Sequence, residues 1–205
     1  MTNKKNTPWR SDQDKNLFQV SSSSEIQNVI ELRDSIGMGD DYFHFLNKDF
    51  ITSKQFQVAF VRDTEDDRYI YRFAQITAEL GVSHVYGITT CPSSNQDYMG
   101  EVPLDTQYYD PPLIAKSAAN GEAIACFRST HLTLATTSYL VLCEYAESIM
   151  LVQNSRYLLF AGQPNEISKI VGMPARETWL QLDTLNWLDP VERQRLAMLK
   201  IDYGF

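Results

Sequence analysis

The residues that could perform chemistry in this chain are few, and their spacing matches no known catalytic pattern. Three histidines, His44, His84 and His131, are the available imidazole bases. Cys126 precedes His131 by five residues, which leaves a cysteine nucleophile with a nearby base as one open interpretation. No Ser or Cys lies in a Gly-x-Ser-x-Gly turn. The sequence therefore favours a non-catalytic protein and leaves an enzyme of unfamiliar type as an alternative.

Metal and phosphate sites are not indicated by the spacing of their usual ligands. Histidine, cysteine and carboxylate residues nowhere follow the four-ligand pattern of a zinc site. The segment Gly37-Met38-Gly39-Asp40 lacks the third glycine and the preceding strand of a phosphate-binding loop. The acidic run at 63–67 could bind a divalent cation through oxygen ligands, or it is a solvated loop before a helix. We expect no metal and no cofactor.

A set of mostly aromatic residues is the best candidate for a ligand pocket. Residues 91–110 form a long polar loop after a predicted strand, and loops of such length are commonly functional. Ligand pockets are largely apolar with a few polar groups, so aromatic side chains near strand ends could line one. Ordinary core and loop packing is the alternative. The candidate ligand-binding residues are Tyr86, Cys91, Tyr98, Tyr108, Tyr109 and Phe127.

A second candidate surface lies in the C-terminal segment, residues 173–205. This segment is richer in Leu and Trp than one short pair of helices normally requires, and exposed apolar patches mark interfaces. The same side chains could instead cover one face of a sheet, as α/β sheets require. The candidate interface residues are Trp179, Leu182, Trp187 and Leu196.

Charge and composition narrow the class of partner. The 205 residues include 18 basic and 26 acidic side chains, and the net charge of −8 repels a phosphate backbone. No run of apolar residues is long enough for a membrane span, and Met1–Asn16 is too polar for a signal peptide. Three widely spaced cysteines suit a reducing compartment. We expect a cytoplasmic protein that binds a protein partner, a second copy of itself or a small molecule, without nucleic acid or membrane insertion.

Hydrophobic periodicity predicts a single α/β core at 25–172, between a flexible arm at 1–24 and a helical extension at 173–205. Within the core, a strand begins near Phe56, an amphipathic helix spans Arg68–Leu80, and a second strand spans Val82–Thr89. The succession of strand, helix and strand predicts a right-handed crossover between two parallel strands.

The second half of the core is predicted to complete a mixed sheet flanked by helices. A helix is expected from Pro111 to Asn120, and strands are expected at 122–128 and 139–145. An antiparallel hairpin is expected at 149–161, turning at Asn154-Ser155. Three helices follow, at 165–171, 175–188 and 190–200.

Three short motifs in this order resemble the DICT sensory domain. They are Tyr71-Arg72-Phe73 in the predicted helix, His84-Val85-Tyr86-Gly87-Ile88 in the next strand and Asp110-Pro111-Pro112-Leu113 in the loop. The resemblance covers roughly Phe56–Val171. DICT domains accompany diguanylate cyclases and two-component systems, so the resemblance implies a sensory input role, with no catalytic residues to carry over. We expect no output domain of the family's usual kinds, a cyclase, kinase or receiver, in this sequence, so signalling would have to proceed by contact with a partner.

The expected function is therefore a sensory or regulatory module that acts through small-ligand or protein contacts. The alternative is a structural or assembly factor that binds partner proteins through its C-terminal helices.

Overall fold

The computed structural model describes residues 17–19, 22–36, 46–62, 66–89, 114–126, 138–143, 148–154, 157–184 and 190–205. These residues form one seven-stranded sheet with helices on both faces. The strands are β1 (Leu17–Gln19), β2 (Gln57–Val61), β3 (His84–Thr89), β4 (Ile114–Ala118), β5 (Ser138–Cys143), β6 (Ile149–Asn154) and β7 (Leu158–Gly162).

The sheet order is β1-β4-β3-β5-β6-β7-β2, and all six pairings between these described strands are antiparallel. The prediction of a parallel strand-helix-strand unit is therefore wrong. β2 and β3 do run in the same direction, because four successive reversals separate them. Three strands that come later in the chain, β5, β6 and β7, lie between them, so the connecting helix crosses over the meander instead of joining two neighbours. The α/β character and the β6–β7 hairpin are confirmed.

Seven helices lie among the described residues, and a 3₁₀-helix at Trp179–Thr184 continues the sixth of them. They are α1 (Ser23–Ser35), α2 (Lys48–Ser53), α3 (Arg68–Glu79), α4 (described at 121–126), α5 (Pro164–Val171), α6 (Ala175–Thr178) and α7 (Pro190–Asp202). The predicted arm contains β1, which pairs with β4, and the predicted extension begins just before α6.

Two predictions in the segment after residue 110 are wrong. Ile114–Ala118 is the strand β4, where a helix was expected, and residues 121–126 are helical, where a strand was expected. Asn120 was interpreted as a helix end, but its side-chain oxygen accepts a hydrogen bond from the backbone N–H of Ala123 at 2.9 Å and caps the start of α4. Alanine favours helices locally, yet β4 pairs on both sides, with β3 and β1, and that pairing decides its conformation.

Side chains alternate along the strands into two cores, one on each face of the sheet. In β5, Leu140 and Leu142 face the first core, whereas Val141 and Cys143 face the second. The first core is covered by α1, α2, the 3₁₀-helix and α7, and the second by α3, α4 and α5. The strands β2, β5, β6 and β7 therefore contribute buried apolar residues to both cores.

Two of the helices that cover the second core, α3 and α5, are joined by a hydrogen bond at the end of α5. Gly172 adopts a φ of 78° and ends α5, a left-handed conformation that glycine adopts without strain. Arg72 of α3 donates a hydrogen bond from its guanidinium to the carbonyl of Ile170 at 3.2 Å. One of the carbonyls that the helix end leaves without an intrahelical partner is thereby satisfied.

Replacing Gly162 with alanine should destabilise the fold, because the new methyl group would have no room. Its Cβ would lie 2.6 Å from Ile149 Cγ2 and 3.0 Å from the carbonyl oxygen of Ser148. Overpacking of this kind typically costs about 1–3 kcal/mol of unfolding free energy, measurable by urea denaturation.

The control is Gly121→Ala, whose added methyl would meet the ring of Tyr71. That ring is half exposed, so we expect it to rotate into solvent and the loss of stability to be smaller. Equal losses at the two positions would contradict the packing argument.

Candidate functional site

The one predicted ligand residue within the described ranges is Tyr86, and it belongs to a cluster of polar side chains between α1 and the sheet. The other five candidates, Cys91, Tyr98, Tyr108, Tyr109 and Phe127, lie outside the described residues. Tyr86 is buried, and its partners in the cluster are Glu25 and Lys116. These three residues are called the Glu25 cluster.

The backbone brings the three side chains together from distant parts of the chain. Tyr86 of β3 and Lys116 of β4 are directly opposite each other in the antiparallel ladder. Glu25 lies in the first turn of α1, which packs on the same face through Ile26 and Val29. The backbone N–H of Glu25 donates a hydrogen bond to the capping hydroxyl of Ser22 at 3.5 Å. A carboxylate such as that of Glu25 is favoured at this end of a helix.

One carboxylate oxygen is the centre of the cluster. Glu25 Oε1 accepts a hydrogen bond from the Tyr86 hydroxyl at 2.8 Å and another from Lys116 Nζ at 2.9 Å. The Lys116 ammonium also lies 5.3 Å from the centroid of the Tyr86 ring, within cation–π range. The side chains of Lys116 and Glu25 remain 26% and 32% exposed, so the cluster is in contact with solvent at one side.

The three groups stabilise one another in fixed protonation states. The hydrogen bonds from Lys116 and then Tyr86 lower the pKa of Glu25, and burial opposes them. Burial, followed by the bond to Glu25, raises the pKa of Tyr86. The bond to Glu25 raises the pKa of Lys116 despite burial. Each of these shifts moves a pKa further away from pH 7. The cluster is therefore suited to anchoring or binding and poorly suited to proton transfer.

Of the cysteines in the part of the chain that the structure describes, Cys143 has an environment that disfavours the reactive thiolate. Burial raises the pKa of the Cys143 thiol to about 11, and this thiol donates to the carbonyl of Ile149 at 3.3 Å. Cys126 lies in α4, whereas His131 is outside the described residues. Among the residues that the structure describes, no three His, Cys, Asp or Glu side chains could hold a metal ion together.

The acidic run is described only at its end, where Asp66 and Asp67 precede α3. The Asp66 carboxylate accepts a hydrogen bond from the backbone N–H of Arg68 at 3.1 Å and forms an ion pair with the Arg68 guanidinium. Asp66 therefore stabilises the start of α3. This role matches the second interpretation of the acidic run, a solvated loop before a helix.

Three of the four predicted interface residues are in the core of the chain itself. Trp179, Leu182 and Leu196 are almost completely buried in the first core, and Trp187 is outside the described residues. The burial of these three side chains matches the alternative interpretation, in which the C-terminal segment covers one face of the sheet.

A different apolar set in the same segment is exposed. Val191, Met198 and Ile201 of α7 are 55%, 58% and 71% exposed, and Leu180 in the 3₁₀-helix is 61% exposed. The three α7 residues are seven and three positions apart, so they lie on one side of the helix. They are called the α7 surface. This helical spacing was readable in the sequence, but the side of α7 that faces the sheet was not.

Replacing Glu25 with glutamine should lower stability near neutral pH by about 1 kcal/mol, as expected for a partly exposed charged hydrogen bond. The lowered pKa of Glu25 means that its contribution is present above the ordinary value of 4.5 and is lost as the pH falls through the folded value. The raised pKa values of Tyr86 and Lys116 make their contributions present below their ordinary values and lost as the pH rises through the folded ones. Urea denaturation across the pH range measures the difference between wild type and Glu25→Gln.

The matched control is Glu31→Gln, an exposed position on the same helix, which should lower stability near neutral pH less than Glu25→Gln does. A difference between wild type and Glu25→Gln that persisted undiminished in strong acid would contradict the role of the carboxylate.

Comparison with known proteins returned no match: no protein-family model, curated protein or solved structure is similar to the chain. Within the described ranges, no helix has both the length and the apolar character needed to cross a bilayer. A functional proposal therefore rests on the chain's own side chains, foremost the Glu25 cluster and the α7 surface.

Proposed function

We propose that the chain is a non-catalytic regulatory protein that acts by contact with another polypeptide, and that the α7 surface makes this contact. The observation that carries the proposal is the exposure of Val191, Met198 and Ile201 on a helix whose other side is already packed. Leu180, which is exposed in the same C-terminal segment, belongs to the proposed contact.

The two sides of α7 have different physical roles. Leu196 is buried in the first core, and Leu199, Tyr203 and Phe205 pack against that core while partly buried. These residues account for how the helix is held on the sheet. The residues of the α7 surface are left more than half exposed by that packing. Burying a Val, Ile or Met side chain in a partner would release about 1.5–3 kcal/mol when burial is complete.

The size of the surface suits a reversible contact. A stable interface of standard size buries roughly 800 Å² on each partner. Four side chains supply only part of such an area, so the contact is expected to be weak enough to form and break. Reversible binding agrees with a regulatory role, which is also the role that the resemblance to the DICT sensory domain implies.

Placing charges on the α7 surface should abolish partner binding without unfolding the protein. We expect wild-type protein that is chemically cross-linked in its own source, before purification, to carry a bound polypeptide in mass spectrometry. The double variant Met198→Lys/Ile201→Lys should lose it, because two ammonium groups would have to be desolvated in the contact. Circular dichroism should show unchanged helix content.

The matched control is Leu80→Lys, which places a lysine at an exposed apolar residue away from the α7 surface, at the end of α3. This variant should retain the polypeptide. Wild-type protein that purifies without one, or a double variant that keeps it, would contradict the proposal.

A second candidate function, small-ligand sensing, is favoured by the Glu25 cluster. Its exposed side offers a cationic and an anionic group beside a phenol, a combination that fits a small molecule carrying a carboxylate for Lys116. Such a ligand would compete with Glu25 for Lys116 and so would act on the anchor of α1.

Native mass spectrometry of the purified protein tests this second candidate through Lys116→Met. A bound small molecule should be present in wild type and lost in this variant, because the ammonium is removed while much of the side-chain volume is kept. Lys169→Met is the matched control, because Lys169 pairs with Glu79 at an exposed position on the other side of the sheet. Loss of the molecule from both variants, or from neither, would contradict binding at the cluster.

A further inference from the structure

The outer edge of β2 is closed by side chains where a neighbouring strand would otherwise lie. In the described sheet β2 is the last strand and pairs only with β7. The Phe60 backbone N–H donates to Thr178 Oγ1 at 2.9 Å, and Trp179 Nε1 donates to the Val58 carbonyl at 2.7 Å. Both bonds are buried. Thr178 and Trp179 are called the edge guard.

These two bonds identify which residues of β2 face outward. The N–H and C=O of one strand residue point to the same side, so Val58 and Phe60 direct their backbone groups away from β7. The Thr178 hydroxyl donates its proton to the carbonyl of Ala175 at 2.6 Å and therefore meets the Phe60 N–H as an acceptor. The guard thus satisfies one acceptor and one donor, two residues apart, on the free edge.

The strand itself carries none of the usual protection against pairing with another strand. Edge strands are commonly protected by Lys, Pro, bulges or inward-pointing charges. The segment Phe56–Val61 contains no charge, proline or glycine and is rich in Phe and Val. Short segments of this composition pair readily with copies of themselves when their edge is free.

The backbone groups of β2 that point away from β7 are complementary to themselves under twofold symmetry. If a twofold axis passed beside Ala59, Val58 of one copy would lie opposite Phe60 of the other in an antiparallel pair. The Phe60 N–H of each copy would then donate to the Val58 carbonyl of its partner. These are the same two groups that the edge guard satisfies, so the guard and a second β2 compete for one set of hydrogen bonds.

We propose that the outer edge of β2 is a strand-addition surface for β2 of a second copy of this chain, and that the edge guard masks it. The occupant is a second copy because the edge is uncharged and self-complementary. This proposal rests on other observations than the α7 surface, namely the backbone of β2 and its hydrogen bonds to Thr178 and Trp179.

Removing the guard's polar groups should switch on self-association. The variant Thr178→Val/Trp179→Phe lacks both the Oγ1 acceptor and the Nε1 donor. In sedimentation experiments over a concentration series, its association constant for dimer formation should exceed that of wild type by roughly tenfold or more. The reason is that the Phe60 N–H and the Val58 carbonyl of each copy regain hydrogen-bond partners by pairing. Hydrogen exchange should show the Phe60 amide more protected at high concentration than at low concentration.

Three further variants isolate the cause. Thr178→Ser keeps the hydroxyl and should associate no more than wild type. Adding Gln57→Lys to the unguarded variant should reverse its association, because a lysine on the edge opposes strand pairing. Should the double variant fail to fold, Thr178→Val alone, which preserves volume, must still strengthen association. A folded unguarded variant that associates no more than wild type, or a dimer that Gln57→Lys leaves intact, would overturn the proposal.

Discussion

The hydrogen bond from the Trp179 indole to the Val58 carbonyl is the contact on which the first core depends. It satisfies a backbone acceptor at the sheet edge and also fixes a large ring in the core, 5.4 Å from Phe60 between ring centroids. The rings of Tyr203 and Phe205, from the end of the chain, pack against the same indole. Without this partner the buried carbonyl would cost about 1–3 kcal/mol, and of the two bonds that the edge guard makes to β2 only the one between Thr178 and Phe60 would remain.

Local sequence patterns were sufficient for most elements and insufficient for the topology. The helix α3, the strand β3 and the β6–β7 hairpin follow from periodicity and turn residues that lie within the element itself. The position of β2 depends on β7, about a hundred residues later, and no local signal reports such a pairing. Asn120-Gly121 shows the same limit at short range, because those two residues are compatible with either end of a helix and only the pairing of β4 decides between them.

For the candidate site, too, the sequence indicated the type of residue but not its partners in space. Tyr86 could be selected from the sequence as an aromatic in a strand, but Glu25 and Lys116 are 61 and 30 positions away from it. Their meeting depends on the β3–β4 register and on the docking of α1. Composition likewise marked Trp179 and Leu196 as important without distinguishing core from interface, since both uses require the same apolar side chains.

The C-terminal segment therefore acts on three surfaces at once: it covers the first core, guards the edge of β2 and presents the α7 surface. These roles are thermodynamically coupled under the two proposals. A partner that binds α7 in its docked position stabilises the conformation in which Thr178 and Trp179 hold β2, because binding energy is added to that state alone. Self-pairing of β2 requires the guard to leave. Linkage is reciprocal, so partner binding and self-association must oppose each other. The same segment that completes the fold would then decide whether the chain is engaged by another protein or by its own copy.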